Sequence, residues 1–172
     1  MDSAKLNDWM QVVGIFALVA SLIFVGLQMK QSQEIAVADQ YQDRADAALE
    51  WYLARMQSDT ALRLTAQNLT GDANSESSPG GIRLSPTSED PIILAQKYLE
   101  YRANITMFDN YHFQYEHGFL QEDAWQAFKV RIKTWLSNES NAEMYRLQAN
   151  HYRQTFQNLC DELLDQITAE AR

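Results

Sequence analysis

The chain has 172 residues, of which 46 % are hydrophobic, and its 23 acidic residues against 14 basic ones give a formal charge of −9. So acidic a surface repels a phosphate backbone, and no basic stripe offsets it; Lys129, Arg131 and Lys133 are the nearest thing to one and read as the solvated face of a helix, so nucleic acid is not an expected partner. A single cysteine, Cys160, excludes an intrachain disulfide, and its neighbours Phe156, Leu159, Leu163 and Leu164 mark it as a buried structural thiol.

Residues 1–8 form a short tail. The segment "VVGIFALVASLIFVGLQ" follows, and up to Leu27 it carries no charge, amide or proline, its one hydroxyl being Ser21. At about 1.5 Å per residue the run 9–27 reaches roughly 28 Å, close to the thickness of a bilayer's hydrocarbon. Trp9 is placed as an interfacial aromatic, and the sequence turns polar at Gln28, Lys30 and Gln31. A core helix of a soluble bundle keeps a polar stripe; this one is apolar all round. The expectation is a transmembrane helix over 9–29, with Trp9, Val12, Phe16, Leu22, Phe24 and Leu27 facing lipid. The leader lacks the basic start of a cleaved signal, Lys5 standing against Asp2 and Asp8, so an uncleaved anchor is expected. Lys30 and Arg44 after the span, against Lys5 and the amino terminus before it, incline the rest of the chain to the cytoplasm.

Gly14, Ala17 and Ser21 recur at three- and four-residue intervals and put small side chains on one side of that helix, where a second backbone can come close. These are the expected helix–helix contact residues, and a homo-oligomer or another membrane protein is the expected partner. Residues 30–70 contain no Gly or Pro, and Ile35, Ala38, Ala45, Leu49, Tyr52 and Met56 keep helical spacing, so a single stalk helix is expected there. Residues 71–90 collect Gly, Ser and Pro and read as the one long loop.

Residues 91–172 read as a helical bundle that packs with the stalk. Asp90 and Pro91 make a helix start, Leu94, Tyr98, Tyr101, Ile105, Phe108, His112 and Tyr115 form a seam, and Gly118 ends it. The next helix, over 121–136, offers Trp125, Phe128, Ile132 and Trp135, with Glu122 and Asp123 at its positive end. Ser140 and Glu143 have capping-box spacing, predicting that the last helix starts there and presents Tyr145, Tyr152, Phe156, Leu159, Leu163 and Ile167. No run has the alternation of a strand, so the fold class is all-α: one membrane helix continuing into a stalk, and an antiparallel bundle.

Two stretches, "ASLIFVGLQMKQSQEIAVADQYQ" and "NYHFQYEHGFLQEDAWQAFKVRI", resemble uncharacterised bacterial single-pass proteins that have an amino-terminal membrane helix, a Gln-rich segment and a helical domain with a Gly-Phe/Leu-Leu turn before a Trp-bearing helix. The resemblance covers about half the chain. It implies a bacterial inner-membrane protein and brings no catalytic residues.

Asp109 and His112 have the carboxylate-x-x-His spacing of a two-metal bundle site, with Glu116 one turn on. The matching pair is missing, because Gln148 stands where His151 would need a carboxylate; the three are a candidate metal set only, a hydrogen-bonded histidine is the ordinary explanation, and no cofactor is expected. Cys160 has no base near it in sequence, and neither a phosphate loop nor a dinucleotide fingerprint occurs, so no enzyme is expected. The leading functional expectation is a membrane-anchored structural or interaction protein, homo-oligomeric or an accessory subunit of a membrane complex. The alternative is a tethered ligand-binding or sensory domain whose pocket lies near Tyr98, Tyr101, Phe108 and His112.

Overall fold

A computed structural model describes residues 3–70 and 90–171, with side chains from residue 7 onward. Among these residues the protein is all-α, with six α-helices and one 3-10 turn and no strand. The loop expected over 71–90 lies, apart from Asp90, outside the described residues, as does the start of the tail. Two compact units are distinguished, Met1–Gln40 and Tyr41–Arg172.

The first helix, α1, runs Ser3–Gln57, so helix begins within the stretch expected as a tail. In the first unit it carries the one segment among the described residues that is long and apolar enough to cross a membrane, and none of that segment is buried by the rest of the chain. Trp9 is 71 % exposed, Phe16 70 % and Leu22 72 %, and Val12, Phe24 and Leu27 are exposed as well. A core helix of a soluble protein would show the opposite.

In the second unit, a single stalk over 30–70 is corrected: α1 stops at Gln57 and α2, Asp59–Thr70, begins after Ser58. The cause is a cap rather than a helix breaker. The Ser58 hydroxyl oxygen accepts from the Ala61 amide at 3.3 Å, the Leu62 amide donates to the Ser58 carbonyl at 2.9 Å, and Asp59 complements the new amino end. The turn lets α2 fold back, and Leu62, Ala66 and Leu69 pack with Tyr52, Ala95 and Leu99 in one apolar cluster.

The third helix, α3, spans Pro91–Glu116. Asp90 caps it, its Oδ1 accepting from the Ile92 amide at 2.7 Å, and the chain leaves it through Gly118 at φ 76°, a left-handed conformation that glycine adopts without strain. It is the central element, contributing Ala95 and Leu99 to the first cluster and Tyr101, Ile105 and Phe108 to a second. That second cluster gathers Trp125, Ile132 and Leu136 of α4 (Glu122–Leu136), Met144 and Tyr145 of α5 (Glu139–Gln148), and Phe156, Leu159, Cys160 and Leu163 of α6 (Gln154–Glu170). Each seam expected in the bundle turns inward.

Two local expectations are corrected. The cap of α5 is Asn138, whose Oδ1 accepts from the Asn141 amide at 3.3 Å, so Ser140 lies within the first turn. The expected last helix is two, parted by the 3-10 turn Ala149–His151 and extended backbone at Tyr152. No Gly or Pro causes this break. The Tyr152 carbonyl freed there accepts from the Gln157 side chain at 2.7 Å, so a side chain satisfies part of what the helix gives up.

Candidate functional site

Residues 109, 112 and 116 stand at helical spacing on α3, which puts Asp109, His112 and Glu116 along one face. Arg153 comes to them from the kink: because the backbone is not helical at Tyr152, Arg153 becomes the residue preceding α6. Its Nη2 lies 2.9 Å from Asp109 Oδ1, its Nη1 2.5 Å from Glu116 Oε2, and Nη2 also donates to the Asp109 carbonyl at 3.0 Å. His112 Nδ1 sits 3.4 Å from the guanidinium and 3.6 Å from Glu116.

The structure brings an arginine to the candidate metal residues. The cation among Asp109, His112 and Glu116 is a guanidinium, and among the described residues no group of three His, Cys, Asp or Glu side chains is arranged to hold a metal. Three ionisable groups on an otherwise apolar seam required a counter-charge, and an arginine 44 residues from Asp109 provides it.

Tyr41 closes the cluster from α1. Its hydroxyl donates to Asp109 Oδ2 at 2.5 Å and accepts from Arg153 Nε at 3.1 Å, while its ring stacks on Phe113 with centroids 4.0 Å apart. The guanidinium carbon lies 5.5 Å from the Tyr41 ring centre and 5.2 Å from that of Phe113, so the cation meets π-faces where it does not meet oxygen. Thr155 donates to Glu116 Oε2 at 3.1 Å. His112 has its ring against Trp125 and Phe156.

The electrostatics follow from this packing. Burial, helped by the hydrogen bond to Asp109, raises the Tyr41 hydroxyl to about 12, so it is a donor and not a phenolate. For Glu116, burial works upward but is outweighed by hydrogen bonds from Arg153 and Thr155, and the carboxyl is held below its ordinary range. Burial lowers His112, against the pull of Glu116, and keeps the imidazole neutral near pH 7. The outcome is a charged joint holding the carboxy-terminal part of α1, α3 and the start of α6.

Of the aromatic residues expected near a pocket, Tyr101 and Phe108 are buried in the core and Tyr98 is partly buried against it. Tyr101 stacks on Trp135 with centroids 5.3 Å apart, and its hydroxyl is 3.1 Å from that of Tyr152. Two shallow concavities are present, about 260 Å3 beside Tyr101, Trp135 and Met144 and about 200 Å3 beside Tyr41, Thr106 and Asp109. Cys160 is buried, and burial pushes its thiol well up, away from the thiolate a nucleophile needs. Gly14, Ala17 and Ser21 lie exposed on α1, and a Cβ built at Gly14 meets nothing within 4 Å.

Sequence reasoning missed Tyr41 and Arg153. The available signal was the uncompensated Asp-His-Glu seam, which demands a cation without saying which. No family model, curated protein or solved structure matches this chain.

Proposed function

We propose that this chain is a single-pass, membrane-anchored helical protein of a bacterial inner membrane, its second unit on the cytoplasmic side, that works by association with copies of itself or as an accessory subunit of a membrane complex. The observation that carries the reading is the exposure of the apolar segment of α1 on every side, with Phe16 70 % and Leu22 72 % exposed. Such a surface is stable when lipid or another helix covers it.

Gly14, Ala17 and Ser21 support the association, since open space around Gly14 allows the close backbone approach on which membrane helices pack. The orientation rests on the basic residues after the span, and the net charge of −9 stands against nucleic acid as a partner. The reading assigns no catalysis: the carboxylates of Asp109 and Glu116 are occupied by Arg153 and the Cys160 thiol is protonated.

The test is extraction of the full chain from native membranes. It should resist a carbonate wash, enter gentle detergent, and run in mass photometry as a multimer or with co-migrating subunits. A chain that leaves the membrane in carbonate, or a monomer that retains no partner, would contradict the proposal.

A further inference from the structure

Arg102 lies on α3 and faces Tyr52 of α1 and the end of α5. Its Nε donates to the Tyr52 hydroxyl at 3.1 Å and its Nη1 to Gln148 Oε1 at 3.0 Å, with the guanidinium carbon 5.7 Å from the Tyr52 ring centre. Burial is the largest influence on it, and the groups beside it are the phenols of Tyr52, Tyr152 and Tyr98. All are neutral. Arg153 is held by two carboxylates, whereas no described carboxylate pairs with Arg102, in a chain with 23 acids to choose from.

A half-buried guanidinium with no anion is unfavourable, because the surroundings that strip it of water return only neutral hydrogen bonds. Gln148 adds a second, independent observation. Its side chain is wholly buried, its Oε1 is taken by Arg102, and its Nε2 has no acceptor. A buried amide donor without a partner is costly and marks a place where an acceptor is missing. With the Tyr98 hydroxyl also bonded to it, the guanidinium still has unused groups among its five N–H donors. Donors therefore outnumber acceptors on both sides of one hydrogen bond, in a setting of tyrosines with no negative charge.

We infer that Arg102 and Gln148, with Tyr98 beside them, form a binding site for a small oxyanion, a carboxylate or phosphate group that supplies the absent charge and accepts from the orphaned amide. Guanidinium forks match such anions in shape as well as sign. The inference is independent of how the anchor associates.

The experiment is thermal unfolding of the full-length protein in detergent micelles, titrated with sodium acetate, sodium phosphate, or sodium chloride at equal ionic strength. One oxyanion should raise the Tm above the chloride control, by about 3 °C at ten times its dissociation constant. The arm that responds identifies the chemistry as carboxylate or phosphate. Gln148→Glu supplies a tethered carboxylate to Arg102, so it should raise the Tm without any added anion and abolish the response. A wild-type protein that answers neither oxyanion beyond chloride overturns the inference. So does a response that Gln148→Glu retains in full, which would be general salt exclusion from the surface.

Discussion

Arg153 and Asp109 are 44 residues apart in sequence and 2.9 Å apart in the fold, and the kink that follows α5 is what brings them together. The pair is partly sheltered, the two side chains being 26 % and 15 % exposed. It is held by geometry more than by charge alone, since Tyr41 bridges both partners.

Removing the cation leaves two carboxylates facing each other in a half-buried site. Arg153→Met should cost about 3 kcal/mol, reduced from the fully buried case because water reaches part of the pair. That corresponds to a Tm lower by roughly 6–12 °C for a chain of this size. Arg153→Met combined with Asp109→Asn should recover part of the loss. Thermal unfolding followed by circular dichroism measures both, and additive losses would mean that the two residues are not coupled.

Acidification should weaken the domain in two stages. Both His112 and Glu116 are shifted downward in the folded protein, so the unfolded chain takes up their protons first and stability falls as pH falls. The His112 contribution is complete above its ordinary value near 6.5 and is lost as pH drops from there toward the lowered folded value. That of Glu116 is complete above its ordinary value near 4.3 and is lost below it. Plotting Tm against pH, His112→Gln should flatten the upper stage and Glu116→Gln the lower. A profile unchanged by His112→Gln would show that another group governs the upper stage.

The cap of α5 separates the structure from the spacing rule. Asn138→Ala should destabilise by about 1 kcal/mol through loss of its bond to the Asn141 amide, while Ser140→Ala should be close to neutral. Chemical denaturation reads the difference. A larger loss at Ser140 would restore the capping box read from sequence.

On the proposed association face, Ala17→Leu should weaken self-association by blocking backbone approach, and Leu18→Ala should do little. The dissociation constant in detergent, from mass photometry across dilutions, should rise about tenfold in the first variant only, as expected for a change of about 1.4 kcal/mol. Equal effects would place the contact elsewhere on the helix.

The side of the membrane can be read from thiols. Cys160 is buried and protonated, so the native chain should react with maleimide only when unfolded. Glu139→Cys puts a second thiol at an exposed position. On the cytoplasmic side it should resist an impermeant reagent in intact cells and label after the membrane is breached. Labelling of intact cells would reverse the proposed orientation.

Periodicity was a good guide where burial is decided by one helix face. Tyr101, Ile105 and Phe108 on α3, Ile132 on α4 and Phe156 on α6 were all placed inward by spacing alone, and Asp90-Pro91 and Gly118 marked the ends of α3 by local chemistry. Breaks made without Gly or Pro were not legible in the same way. Ser58 interrupts the expected stalk through one cap bond, and Ala149–His151 interrupts the last helix, with the Gln157 side chain satisfying the freed Tyr152 carbonyl. The polar joint was half legible. Asp109, His112 and Glu116 announce themselves by spacing on one helix, but pairing across 112 residues, as between Tyr41 and Arg153, leaves no local pattern.

That last separation also sets a clock for biosynthesis. At about 5–20 residues/s, a ribosome releases Arg153 roughly 6–22 s after Tyr41, the two being 112 residues apart. Over the last 44 of those residues the nascent polypeptide carries Asp109 without its counter-ion, so the clasp cannot shut until α6 has begun to emerge. A translation complex stalled before Arg153 would show the domain open.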